Sequence, residues 1–350
     1  MAGGAAQGEL GPDAPLWAWG SEMITRRAAE MVSHADGVRL GEDIEAVHDM
    51  RVWSRRLVAA MRLFAVCFPE PGYRKLMREA RRVTRALGEV RDLDVQLDYL
   101  KRLREGLQGE ETTAVEYLVA VLSARRETAR QPMLKSLDRL LESRFEARLD
   151  AYLAEQDDAY RVGLSPVRIW GPDPHPGSRR GGVPRGEMTF REAAPVALRA
   201  RVEELYAFEP YVARPEAVEE LHEMRIAAKW LRYTMEVFAP AYSTGLKKQL
   251  AAVKKVQELL GDLHDSDVRL ELLERTGREP LEPKGLAALG LLSPDAVQSG
   301  LHELQRRETG TRNDCYTRFY AQWRKLEERG LRGELLQAIR NPDGGGAGDE

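Results

Sequence analysis

The chain has 350 residues, of which 43% are apolar and 31% charged, with a formal net charge of −3. That is enough apolar material for one large or two modest cores, and too little net charge for a protein that coats nucleic acid through overall basicity. Its two cysteines, Cys67 and Cys315, are far apart and lack CxxC spacing, which argues against a disulfide framework or a cysteine-ligated zinc and for a reducing compartment.

The first 15 residues are rich in Gly, Ala and Pro and read as disordered. They lack the basic-then-apolar pattern of a signal peptide, and no apolar run approaches the roughly 20 residues that span a bilayer. From there the periodicity is helical, with no sustained alternation and no Asn-Gly turn to mark strands. Helices are predicted at about 16–36, 44–68, 71–104 and 112–160. A Gly/Pro-rich stretch follows that cannot continue a helix and reads as a linker over 163–190. Further helices are predicted at about 191–208, 215–240, 243–275 and 296–338, and the glycine-rich 339–350 reads as a disordered tail. The fold class is therefore all-α, with one four-helix bundle over 16–162 and another over 191–338.

The two sides are copies. EAVHDMRVWSRRLVAAMRLFAVCF (45–68) aligns with EELHEMRIAAKWLRYTMEVFAPAY (219–242), and LGEVRDLDVQLDYL (87–100) with LGDLHDSDVRLELL (260–273). A later echo pairs RRET at 125–128 with RRET at 306–309. A repeat of this length implies two similar bundles about an approximate two-fold axis.

In the second helix, Met50, Trp53, Leu57, Met61, Phe64 and Phe68 recur at steps of three and four, which makes an apolar stripe that must be core. His48, Arg51, Arg55 and Arg62 lie on a different stripe, within about 60° of one another. The second copy offers His222, Arg225, Lys229 and Arg232. Packing explains why Met and Phe recur in both copies but does not explain the recurring His and Arg. A solvated face usually mixes signs, and a run of one sign repels itself; a bound anion would offset that cost.

The third helix repeats the theme with Arg74, Arg78, Arg81 and Arg85, flanked by Lys75 and Arg82. Its copy keeps Lys247, Lys254 and Lys255 but has Ala251 and Glu258 where Arg78 and Arg85 stand. Residues 46–104 hold 14 Lys+Arg against 7 Asp+Glu, and residues 219–277 hold 9 against 10, so the first half is the stronger anion binder. Each half also carries Leu-Gly-x-x-(Arg/His)-Asp-x-Asp-Val. Gly88 and Gly261 in it mark a helix break or a close approach, and its aspartates read as partners that orient arginines or as a cap.

His48-x-x-Arg51-Val-x-x-Arg55-Arg56-Leu57, its copy His222-x-x-Arg225-Ile-x-x-Lys229-x-Leu231-Arg232-Tyr233, and the two Leu-Gly elements resemble the conserved histidine α-helical domain family, known as CHAD. The resemblance covers about 16–338. It implies two four-helix bundles around a central basic pore that binds inorganic polyphosphate, in some members at polyphosphate granules. The binding residues it implies are His48, Arg51, Arg55, Arg56, Arg81, Arg82 and Arg85 from the first copy, and His222, Arg225, Lys229, Arg232, Lys254 and Lys255 from the second. Trp230 and Glu258 depart from the pattern, standing where Arg56 and Arg85 stand. No Glu-x-Glu-x-Lys strand of a fused triphosphate-tunnel domain is present, so the module reads as stand-alone.

The expected function is thus non-catalytic polyphosphate binding in the cytoplasm, with no cofactor, metal or membrane. His48 and His222 are expected to gain protons near bound phosphate and tighten binding below about pH 6.5. One rival is a metal-dependent phosphohydrolase using His48, His222 and His264-Asp265. The first copy has Arg91 in place of His264, and arginine cannot ligate a metal. A nucleic-acid binder is the other, set back by the absence of aromatics interleaved with the bases. His34 and His302 read as surface or packing residues, His175 and Trp170 as linker.

Overall fold

The computed structural model describes residues 10–41, 44–68, 71–161, 188–243, 246–281, 294–340 and 342. Most of the 163–190 stretch, with Trp170 and His175, lies outside these residues, as do 1–9 and 343–350. Among the described residues the chain is all-helical; one isolated β-bridge joins Pro15 to Thr189. The helices are α1 (Leu16–Ser33), α2 (Ala35–Leu40), α3 (Ile44–Leu63), α4 (Gly72–Arg104), α5 (Glu110–Glu142) and α6 (Phe145–Arg161). After the linker come α7 (Phe190–Tyr206), α8 (Val218–Phe238), α9 (Lys247–Arg278), α10 (Pro294–Glu328) and α11 (Leu331–Arg340). None is long and apolar enough to cross a membrane.

Both halves pack in the same order. In the first, α3 lies between α1 and α4, α4 against α5, and α6 against α1; in the second, α8 lies between α7 and α9, α9 against α10, and α11 against α7. The last predicted helix of each half is in fact two. The first breaks at Arg144, whose φ of 51° is left-handed, and the second at Gly330, with φ 80°. Gly330 was visible punctuation. Arg144 was not, because Phe145, Leu149 and Leu153 carry the apolar spacing of Leu137 and Leu141 straight across the break. The turned chain is held by Arg148, which donates to the Ser143 carbonyl at 2.7 Å and pairs with Glu79 of α4. The predicted 16–36 helix likewise divides at His34 into α1 and α2.

Residues 10–15 are ordered, contrary to the reading of 1–15 as disordered. The Phe190 and Arg191 amides donate to the Ala14 and Pro12 carbonyls at 2.9 Å, and Leu16 donates to Met188. Arg191 pairs with Asp13 at 2.7 Å, and Trp19 stacks on Phe190 with ring centroids 4.2 Å apart. A Gly/Pro-rich strap is fixed when its backbone groups find partners. Thr189 and Glu192 form a capping box that starts α7 at the same place.

The 163–190 stretch divides the chain but not its core. One apolar cluster runs from α1, α3 and α4 through α7, α8 and α9. A second, where α4 and α5 meet α9 and α10, packs Leu97, Leu100 and Leu118 against Leu273, Leu301 and Leu304. Within it the buried Glu308 carboxylate accepts from Tyr99 of the other half at 2.8 Å, from Arg269 at 2.9 Å and from Ser266. A cavity lined by Tyr99, Leu100, Leu118, Arg269, Leu272 and Glu308 adjoins this network, away from the arginine stripes.

α5 and α10 approach closely because Gly300 faces Glu110: a Cβ there would lie 2.6 Å from the Glu110 carbonyl carbon and 2.8 Å from the Ala114 Cβ. Backbone, not a flexible side chain, would have to move. Gly300→Ala is expected to destabilise the fold by about 1–3 kcal/mol, read as a lower midpoint of chemical unfolding; an unchanged midpoint would show that the contact carries no weight.

Candidate functional site

The apolar stripe of α3 is core: Met50, Leu57, Met61 and Phe64 are fully buried. Trp53 is only partly buried, with the Arg56 guanidinium 4.7 Å above its ring centroid. The polar stripe of α3, His48, Arg51, Arg55 and Arg62, is half-buried, and so are His222, Arg225, Lys229 and Arg232 on α8. α3 and α8 pack against each other, and this contact brings the two stripes together.

Arg51 donates to Asp92 of α4 at 2.8 Å. Its side chain crosses α4 at Gly88, where a Cβ would stand 3.7 Å from Arg51 Nε. In the second half, Arg225 crosses α9 at Gly261 in the same way, 4.0 Å from a Cβ built there. Neither glycine breaks its helix; each leaves a shallow seat for an arginine. Both guanidinium pKa values are held below the ordinary arginine value, chiefly by burial. At Arg225, Asp265 opposes this, Arg55 and Arg51 of the other half reinforce it, and Asp92 opposes it. Asp265 in turn is pushed up by burial against the pull of Arg225 and Arg269. Three guanidiniums from two halves therefore share two carboxylates, and Arg55 forms no ion pair among the described residues.

The second aspartate of each Leu-Gly element has a structural task. Asp94, buried, pairs with Arg126 of α5 at 2.5 Å, and Asp267 pairs with Arg312 of α10 at 2.6 Å. Asp92, Asp94 and Asp267 thus pair with arginines, whereas among the described residues Asp265 feels Arg225 and Arg269 through space alone. Arg126 and Arg312 are the equivalent residues, which corrects the RRET register: Arg306 and Arg307 pair instead with Glu303 and Glu111.

Around the α3–α8 contact, Arg62 reaches the Trp230 ring at 5.1 Å, and Arg201 of α7 reaches the same ring at 5.6 Å. Arg27 of α1 donates to the Arg56 carbonyl at 2.9 Å. Its pKa falls to about 10 through burial and the charges of Arg56 and Arg26, while Glu236 and Tyr233 of the second half oppose the shift. Sequence reasoning missed Arg27 and Arg201, although they stand in the same register as the aligned copies and carrying the alignment back one helix would have found them. It also missed aromatics among the bases: Trp53, Trp230 and Tyr233 all lie beside guanidiniums, some of them from other helices.

Other predicted residues fall into two groups. Arg78, Arg82 and Arg85 of α4 are exposed and form no ion pair among the described residues; Arg74 is exposed and Arg81 half-buried. On the second half, Lys247 and Lys255 are exposed, and Lys254 pairs with Glu258 at 3.8 Å. Arg232 is occupied: it donates to Gln257 at 2.6 Å, pairs with Glu236 at 2.5 Å and lies over Tyr233 at 4.6 Å.

His222 has one ring nitrogen already engaged. Its Nδ1 lies 2.9 Å from Nδ1 of His264, with ring centroids 4.2 Å apart, so one ring donates and the other accepts. Burial and the neighbouring Arg225 push both imidazoles down, His264 to about 4. The first half has Arg91 in place of His264, so His48 has no such partner there. No group of three or more His, Cys, Asp or Glu among the described residues is arranged to hold a metal.

A family model described as the CHAD domain matches residues 22–274. Among solved structures, the chain is similar to the CHAD domain from the plant Ricinus communis, with 23% identity and a TM-score of 0.56, covering 86% of this chain and 96% of that one. It is also similar to PptA from Streptomyces chartreusis, with 18% identity and a TM-score of 0.55, covering 89% and 100%. At these identities the two structures bear on the fold alone. No curated protein matches the chain.

The histidine pair leaves a signature in stability. Both imidazoles titrate below the ordinary value of 6.5, so the unfolded chain takes up protons first as the pH falls. The stability of the neutral pair is complete above about pH 6.5 and is lost as the pH falls through the folded values. The unfolding midpoint should drop between pH 6.5 and about 4 more steeply for the wild type than for His264→Gln; parallel profiles would contradict this.

Proposed function

The chain belongs to the CHAD domain family, and from that premise we propose that it binds inorganic polyphosphate across the α3–α8 contact without transforming it. We place this activity in the cytoplasm, at polyphosphate granules where they form. The observation that carries the reading is the meeting of Arg51, Arg55 and Arg225 from two halves, with Asp92 and Asp265 the carboxylates that act on them most strongly among the described residues. Like charges drawn together and partly desolvated cost free energy. That arrangement is sustained more readily if an anion completes it, and guanidinium forks suit phosphate oxygens.

A linear polyphosphate can follow consecutive cations from α3 and Arg225 onto α4, where Arg85 and Arg78 are exposed. The family's polyphosphate binding supports the same reading. The aromatic rings within this surface already carry guanidiniums on their faces, which leaves less ring for nucleobases to stack on.

Titration with long-chain polyphosphate at several salt concentrations tests the proposal. The wild type should bind with a steep salt dependence, and Arg51→Ala combined with Arg225→Ala should weaken binding by about tenfold or more and flatten the slope by roughly 0.7 per cation removed. Binding by the double variant equal to that of the wild type would overturn the proposal, and tighter binding to RNA of matched charge would favour a nucleic-acid ligand instead.

A further inference from the structure

The two halves share a backbone plan but present different charges along it. From Asp92, which touches Arg51 at the crossing, Arg85 and Arg78 lie one and two heptads back along α4. Seven residues return to nearly the same face of a helix and advance about 10 Å. Arg85 and Arg78 therefore continue one line away from the crossing, exposed and without ion pairs among the described residues, with Arg82 beside them and Arg74 at its end. In the second half, the same line from Asp265 meets Glu258 and then Ala251.

Most further comparisons tip the same way, although Lys247, Lys254 and Lys255 keep the charge of Arg74, Arg81 and Arg82. Arg56 becomes Trp230, and Arg62 becomes Glu236. Arg232, a cation the first half lacks, is bound to that same Glu236 and to Gln257. Lys254 is drawn to Glu258. Arg91 becomes His264, whose Nδ1 is engaged with His222. The second half retains Arg225 and Lys229 at the crossing and the more distant Lys247, Lys254 and Lys255, but at the two heptad positions that continue the line it has Glu258 and Ala251.

We propose that the polyanion path is one-sided: the ligand is a single linear run of phosphates that starts at the crossing of Arg51, Arg55 and Arg225 and leaves along α4 past Arg85, Arg82 and Arg78 to Arg74, while α9 carries none of it. This rests on the polyphosphate reading above and adds direction and length. From Asp92 to Arg74 the path runs 18 residues of α4, roughly 27 Å at the helical rise. Affinity should climb with chain length until the ligand covers that distance and then level off.

The test compares two double variants at exposed positions in titrations with polyphosphates of graded length. Arg78→Ala with Arg85→Ala should weaken binding of long chains about tenfold, lower the salt slope by roughly 1.4, and make shorter and longer chains bind more alike. Arg78→Lys with Arg85→Lys should restore most of the slope, since it keeps the charge. Lys247→Ala with Lys254→Ala should change affinity less than about twofold. Equal losses in the two alanine pairs, with the wild type binding normally, would overturn the one-sided path and leave the polyphosphate reading standing. A wild type that binds no polyphosphate would overturn both.

Discussion

The structure depends on placing arginines from both halves against one another where α3 crosses α8. Arg51 and Arg225 each lie half-buried over a glycine of the adjacent helix, with Asp92 and Asp265 between them and Arg55 close by without a carboxylate of its own among the described residues. Left alone, such an arrangement is under electrostatic tension: burial and mutual repulsion both disfavour the charged forms. A fold can hold it only if the surrounding packing is firm. Here that firmness comes from an apolar core that passes through both halves, so the crossing cannot relax by letting the halves drift apart.

The remaining charges in the repeated motif serve that rigidity. Asp94–Arg126 and Asp267–Arg312 tie α4 to α5 and α9 to α10. Partly buried ion pairs of this kind add little net stability, but they leave few alternative registers, because breaking one strands a charge. At the far end, Glu308 bonds to its own half and to Tyr99 of the other, and Gly300 lets α10 lie against α5. One motif thus holds two kinds of aspartate. The first of each pair is exposed or adjoins the arginine crossing, and the second is a strut to the next helix, buried at Asp94 and half-buried at Asp267.

Much of this was legible in the sequence, because duplication supplies its own comparison. Buried Met50, Leu57, Met61 and Phe64 follow from helical spacing, and His48, Arg51, Arg55 and their copies stand out because packing alone does not require them. What escaped has local causes. The break at Arg144 is hidden by an apolar rhythm that continues through it. Residues 10–15 look unstructured until Phe190, Arg191 and Met188 supply partners that are distant in sequence. The RRET echo misled because identical letters outweighed the contacts, which match Arg126 with Arg312. His222 and His264 lie in separate helices, and no spacing rule announces that their Nδ1 atoms meet.

The two halves differ in charge at positions to which the fold is least sensitive. Arg78, Arg85, Ala251 and Glu258 all point to solvent, where substitution costs little. We propose that phosphates complete the crossing of Arg51, Arg55 and Arg225. The most direct test of this is a diffraction map of crystals grown with polyphosphate. Phosphate oxygens within hydrogen-bonding distance of all three guanidiniums are predicted, whereas density confined to other surface cations, with the crossing unchanged, would contradict the account.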